Sequence, residues 1–234
     1  MARPTTFGPH LEALHVNTGG GVVGGDRVET VYELGPGADV VHTTSSGERI
    51  YRSDGAASRL DVRIVLEPAA RLDWLPQQTI LYAGARLERR IEIDLAPDSR
   101  LVMVEIVTFG RPESGEGSAP ASLNDQWRVR RQGELLYAEA ARLSGELGEV
   151  LGRLAVAGGA RASALVLAVS PDATDQVEPL RSALECDTCE TGVSAWHGIL
   201  AGRVLARRPG DLIAALTRAI PVLSGRALPR VWAT

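Results

Sequence analysis

"RLERRIEIDL", residues 86–95, and "RLDVRIVL", residues 59–66, decide the fold class. In the first run Leu87, Ile91, Ile93 and Leu95 fall on one face of an alternating pattern. In the second, Leu60, Val62, Ile64 and Leu66 oppose Arg59, Asp61 and Arg63. Successive side chains of a strand point to opposite faces, so both runs predict half-buried strands. A third run, "RLVMVEIVTF" at 100–109, is apolar almost throughout, which predicts a strand covered on both faces. The turn-forming stretches "GPGAD" (35–39), "EPAA" (67–70) and "APDS" (96–99) separate the runs. Short strands between such turns predict an antiparallel, mostly β architecture.

Working outward, residues 110–122, "GRPESGEGSAPAS", read as one long polar loop within a single domain spanning 1–234. Helices come late. "TDQVEPLRSALE" (174–185) carries Val177, Leu180 and Leu184 at helical spacing. "PGDLIAALTRAIPVLSG" (209–225) carries a stripe of Leu212, Ile213, Leu216, Ile220 and Leu223, with Asp211 in the first turn and Gly225 at the stop. Pro221 should kink or shorten that helix. Between the two, "TGVSAWHGILAGRVLAR" (191–207) reads as one long strand or two short ones.

Bulk properties exclude several function classes. The 234 residues include 25 basic and 29 acidic side chains for a net charge of -4, with no basic block, which argues against a nucleic-acid partner. Aromatic residues are 4 %, too few for base-stacking platforms. No run of about 18 apolar residues could span a membrane. The first 16 residues lack the apolar core of a secretory signal, so a cytoplasmic, reducing location is expected.

Three features could carry chemistry. In "HVNTGGGVVGGDRVE" (15–29), five glycines crowd into residues 19–25 and run into Asp26. The pattern is neither a P-loop nor a dinucleotide fingerprint, and a strand follows it; a tight corner where two segments cross closely explains the glycines. Next, two glutamates interrupt apolar faces. Glu105 shares its face with Leu101, Met103, Val107 and Phe109, and Glu139 shares its face with Leu135, Tyr137, Ala141 and Leu143. A lone buried carboxylate is costly, so each needs an arginine, a hydrogen-bond cluster, water or a cation. A structural ion pair is the plain reading; with Asp26 the three acids suggest an interior polar pathway. Finally, Cys186-Asp187-Thr188-Cys189, with His197 eight residues on, resembles half a metal site or a redox pair, but a bare C-x-x-C is a weak signal. Two ordinary, dispensable reduced cysteines are expected. Four histidines and the absence of nucleophile motifs argue against a hydrolase or a dedicated metalloenzyme.

Several segments together resemble the urease accessory protein UreD (UreH) family: "NTGGGVVGGDR" (17–27), "TTSSGERIYRS" (43–53), "WLPQQTILYAGARL" (74–87), "VEIVTFGRPESGE" (104–116) and "LPRVWAT" (228–234). Two departures stand out. The family carries more strand-forming sequence ahead of the glycines, and its Pro-Gln-Glu is Pro76-Gln77-Gln78 here. The resemblance implies a mostly β fold of helically wound, stacked antiparallel or mixed sheets with about two α-helices in the C-terminal half. It implies a non-enzymatic scaffold that binds urease apoprotein and UreF, and through UreF the GTPase UreG. It also implies a carboxylate-lined tunnel for transient nickel(II), with no tightly bound cofactor. Asp26, Glu105 and Glu139 would line that path, joined by Glu116, which matches the family's Gly-Arg…Gly-Glu segment. Isolated carboxylates suit passage, since thiolates and imidazoles hold nickel more tightly. The competing expectation is a β-rich carbohydrate-acting enzyme using Glu105 and Glu139 as its carboxylate pair. A weaker one is a small-molecule module built on the glycine corner.

Overall fold

A computed structural model describes residues 2–6, 10–110 and 120–232. In chain order the strands begin with β1 (Ala2–Thr6), β2 (Leu11–His15), β3 (Arg27–Leu34), β4 (Asp39–Thr44) and β5 (Glu48–Ile50). They continue with β6 (Ser58–Leu66), β7 (Arg71–Leu75), β8 (Thr79–Leu81), β9 (Arg86–Leu95) and β10 (Arg100–Phe109). Then come β11 (Pro120–Arg131), β12 (Glu134–Glu146), α1 (Leu147–Gly152), β13 (Ala162–Val169), α2 (Val177–Leu184), β14 (Cys189–Trp196), β15 (Ile199–Ala206) and α3 (Pro209–Ser224).

The strands form two stacked sheets. The larger has ten strands in the order β1-β2-β4-β7-β10-β13-β15-β14, with β5 and β8 branching beside β10. The smaller runs β12-β11-β9-β6-β3. The chain alternates between them, so a strand pairs in parallel with one made a full coil later. Leu11 lies beside Val40, Val40 beside Leu72 and Leu72 beside Leu101 in one sheet. Tyr32, Ile64, Ile93 and Val129 form the matching ladder in the other.

This winding bears out the wound, mixed sheets that the resemblance implies and corrects the antiparallel reading of the strand spacing. The turns at 35–39, 67–70 and 96–99 lie where the sequence places them, but each carries the chain from the small sheet to the large one instead of reversing it within a sheet. They stack on one another: the Gly37 amide donates to the Pro68 carbonyl (2.9 Å) and the Ala69 amide to Asp98 Oδ1 (3.0 Å). Besides β1–β2, antiparallel pairing in the described residues belongs to the later strands: β11–β12, β10–β13, β13–β15 and β14–β15. Two of these pairs are tight hairpins turning on Gln132-Gly133 and His197-Gly198, all four residues with positive φ, as two-residue hairpin loops require. Residues 191–207 are therefore two strands.

β10 is buried along nearly its whole length, as its apolar run predicts. Its Val102, Val104 and Ile106 face a core closed by α2 and α3, while Leu101, Met103, Val107 and Phe109 face the small sheet. α3 buries Leu212, Leu216 and Ile220 and ends at Gly225, whose φ of 62° supplies the left-handed cap. It continues three residues past Pro221. The strand β11 begins at Pro120, earlier than the loop reading allows, and α1 was not foreseen at all. Residues following α3 fold back onto the large sheet. Arg226 pairs with both oxygens of Asp39 (2.6 and 2.7 Å) and lies 3.4 Å from buried Asp73, and the Trp232 indole donates to the Leu75 carbonyl (3.0 Å).

The glycine corner is a close crossing, as expected. Val22 exchanges backbone hydrogen bonds with Arg49 and Tyr51 at 2.8 Å. A Cβ on Gly21 would stand 2.4 Å from the Tyr51 ring and 2.8 Å from the Arg49 carbonyl oxygen, and one on Gly24 would stand 2.3 Å from Ser53 Oγ.

Candidate functional site

The inter-sheet space is interrupted by charge. Along β9, Leu87 belongs to one apolar cluster and Ile91 to another; Arg89 sits between them. The same break occurs at Glu105 between Met103 and Val107 on β10, and at Asp125 between Leu123 and Trp127 on β11. Arg203 lies between Ala201 and Leu205 on β15, and Glu139 between Tyr137 and Leu143 on β12. A polar layer thus separates the two clusters.

Its inner part is a triad. Arg89 donates to Asp125 through Nε to Oδ1 (3.0 Å) and Nη2 to Oδ2 (2.5 Å), and through Nη1 to Glu105 Oε2. The indoles finish the shell, Trp74 donating to Glu105 Oε1 (2.7 Å) and Trp127 to Asp125 Oδ1 (3.1 Å). All three charged side chains are nearly dry, at 5 %, 6 % and 11 % exposure for Arg89, Glu105 and Asp125. One guanidinium faces two carboxylates, a formal excess of one negative charge when both are ionised. Burial pushes the Glu105 carboxyl above the usual range, against Arg89 and Trp74, which pull it down.

The outer part is a more open pair. Glu139 Oε2 accepts from Arg203 Nη2 (2.5 Å) and from the Tyr137 hydroxyl (2.8 Å), with the Glu139 side chain 20 % and Arg203 49 % exposed. Burial, then Glu139, raises the Tyr137 phenol above its ordinary value. Between triad and pair lies a cavity of about 360 Å³, lined by these five charged residues, by a sixth, Arg142, and by Val107, Leu123, Leu151, Val156 and Leu205. α1 and the segment after it close one wall. The cavity thus links a buried acidic cluster to a carboxylate near the surface.

The structure brings Glu105 and Glu139 to one cavity, and each is ion-paired. It does not bring Asp26 there. Asp26 is exposed, its backbone amide bonded to the Val23 carbonyl and its Oδ2 accepting from the Val23 amide, both at 3.0 Å. The acid that ends the glycine run closes that turn, which corrects its placement on an interior path. Glu116 lies outside the described residues. Arg89 and Asp125 are the residues the sequence reading passed over, although each breaks an apolar alternation: Arg89 between Leu87 and Ile91, Asp125 between Leu123 and Trp127. Among the described residues no three His, Cys, Asp or Glu side chains are grouped to hold a metal ion. His197 occupies the β14–β15 turn, at the far end of β14 from Cys189, so it cannot join the cysteines.

The carbohydrate-enzyme reading is not favoured. Both Glu105 oxygens are taken up, by Arg89 and by Trp74, and the curated relatives described below are accessory proteins. No helix of the described residues is long and apolar enough to cross a membrane.

A family model described as UreD urease accessory protein matches residues 1–233. The urease accessory protein UreD of Xanthobacter autotrophicus is 46 % identical over 233 residues, covering 100 % of this chain and 81 % of that relative. Those of a Methylobacterium species and of Azorhizobium caulinodans are 43 % and 45 % identical, covering 84 % and 85 % of the relatives. These relatives are named as accessory proteins, not enzymes, in accord with a non-enzymatic role in urease maturation. The chain belongs to the UreD urease accessory protein family.

Proposed function

We propose that this chain is a cytoplasmic scaffold that helps deliver nickel(II) to urease apoprotein, and that the inter-sheet polar layer is the part that handles the ion. The observation that carries the reading is the cavity joining the Arg89–Glu105–Asp125 triad to Glu139 and Arg203. Nickel(II) is cargo here, not a resident cofactor. Oxygen ligands exchange it readily, and each carboxylate in the layer already has an arginine that can resume its place when the ion moves on. A cation entering the cavity meets Glu139 first and the two triad carboxylates next. Membership of the UreD family supports the maturation role, and the partners consistent with it are urease apoprotein, UreF and, through UreF, UreG. The surface beside α3, whose Ile213, Val222 and Leu223 are only half covered, is the docking face this reading assigns to UreF.

The test is nickel per urease active site after co-expression with variants of this chain. Glu139→Ala should still co-purify with UreF and urease yet leave urease short of nickel. Full nickel occupancy with Glu139→Ala and with Glu105→Gln/Asp125→Asn would remove the layer from the delivery route.

A further inference from the structure

The two cysteines lie where the chain passes from α2 into β14. Cys186 follows the end of the helix, and Cys189 is the first residue of the strand. The Cys189 amide donates to the Cys186 carbonyl (3.2 Å), and the turn this closes brings the two Sγ atoms to 2.8 Å. The Thr188 hydroxyl lies 3.3 Å from Cys186 Sγ. Both side chains are partly exposed and unbonded to one another as free thiols. Both are free thiols, as expected of reduced cysteines, and the turn makes of them one dithiol group.

We propose that Cys186 and Cys189 are a reversible dithiol–disulfide site that exchanges with small-molecule disulfides, for which glutathione disulfide is the probe. Cys189 also lines a surface pocket of about 500 Å³ whose charged residues are Asp187, Glu190, Arg207, Arg208 and Asp211, so the resolving sulfur is reachable from solvent. The thiols are also unequal. Hydrogen bonds from Cys189 and Thr188 pull the Cys186 thiol below its ordinary value, whereas burial and the adjacent Cys186 sulfur push Cys189 up to about 12. That is the division of labour between an attacking and a resolving sulfur.

The exchange balances without another reagent. The Cys186 thiolate attacks one sulfur of the small disulfide, forming a mixed disulfide and expelling one thiolate, which takes up the proton Cys186 lost. Cys189 then gives up its proton, and its sulfur attacks Cys186 Sγ and releases the second small thiol. The protein loses two hydrogens, and the small disulfide is reduced to two thiols. Excess thiol reverses both steps. The bond formed pins the end of α2 to the start of β14; both elements bury side chains, Leu184 and Val193, in the helix-covered core.

The test uses the full chain equilibrated in mixtures of reduced and oxidised glutathione, acid-quenched, alkylated and weighed intact. The expected product is an intramolecular disulfide, two hydrogens lighter, fully recovered by dithiothreitol. Before oxidation Cys186 should alkylate about ten-fold faster than Cys189. Cys189→Ser should trap a glutathione adduct on Cys186, and Cys186→Ser should leave Cys189 unmodified. Two free thiols across every mixture, a disulfide only between chains, or equal alkylation rates would each overturn the proposal. The wild-type mass measurement stands even if a serine variant folds poorly, and none of these readouts depends on urease.

Discussion

Arg89 and Asp125 are direct neighbours in the parallel β9–β11 ladder, and the same pair makes a two-pronged side-chain bridge at 3.0 and 2.5 Å. Backbone register and side-chain chemistry therefore fix each other, and the third member, Glu105, reaches the same guanidinium from the opposite sheet. Removing the cation strands two dry carboxylates. Arg89→Met should lower the unfolding free energy by about 3–5 kcal/mol, read as a lower denaturant midpoint. Replacing all three residues by apolar ones of similar size should restore stability, because a buried ion cluster is often no better than hydrophobic packing. That restored protein should still fail to load urease with nickel. A single Arg89→Met with an unchanged midpoint would show that the triad does not hold the sheets together.

Glu139 gives the cleaner functional test, because its partner Arg203 is half exposed. Exposed ion pairs contribute about 0.2–1 kcal/mol, so Glu139→Ala should barely move the melting curve while reducing urease nickel content. Asp26→Ala should do the reverse. It removes the acceptor for the Val23 amide, at a cost of about 1 kcal/mol, and should leave nickel loading at the wild-type level.

His42 should make the fold sensitive to acid. It is buried, stacked on Trp74 with ring centres 3.9 Å apart, and its Nδ1 is 2.7 Å from the Tyr32 hydroxyl. Burial, and to a smaller degree His15, lowers its pKa from 6.5 to about 3. The unfolded chain binds the proton first, so stability should fall as pH drops from about 6.5 towards 3. Glu105 acts with the opposite sign, since burial raises its pKa and ionising it costs the folded state. Comparing the melting temperature of wild type and His42→Phe across this range isolates the histidine: the variant should show a shallower acid slope, and parallel slopes would rule the role out.

Gly24→Ala tests the chain crossing. The new methyl would meet Ser53 Oγ at 2.3 Å and, less forgivingly, Ser53 Cα at 2.9 Å. A loss of about 1–3 kcal/mol is expected from such overpacking. Gly20, whose Cβ would meet nothing within 4 Å, is the control; its φ of 76° makes asparagine the substitution to use there. Equal stability of Gly24→Ala and wild type would mean that the two segments can part without cost.

The Cys186→Ala/Cys189→Ala variant should activate urease normally in cells growing under reducing conditions, because the dithiol form carries no bond to lose. Urease activity in extracts of such cells measures this directly, and a deep loss would show that the thiols serve maturation itself.

The strands β3, β6, β9 and β10, the β14–β15 segment and the helices α2 and α3 were legible because their patterns are regular and their stops are marked by Pro, Gly and Asp. The winding was not. A turn such as "EPAA" reads the same whether it reverses the chain or steps it into the other sheet, and only the partner one coil away distinguishes the two. Glu105 and Glu139 were visible as acids among apolar neighbours. Arg89 and Asp125 were equally visible as breaks, yet Arg89 follows Glu88 and precedes Arg90, so local charge hid its direction. Asp26 misled because a carboxylate beside glycines fits a lining as well as a turn. The short α1 has six residues and no capping side chain at Glu146, which leaves no start signal and too few turns for a helical period to show.

The clasp of Arg226 on Asp39 and of Trp232 on Leu75 also orders events during synthesis. β4 and β7 leave the ribosome well before the residues that cover them. At translation rates of about 5–20 residues per second, they wait many seconds with one apolar face bare. The nascent chain therefore passes through a half-clad stage in which Val41 and Leu75 are open to any passing surface. A chaperone, or a partner made beside it, has its best opportunity then, and the window closes when Trp232 arrives.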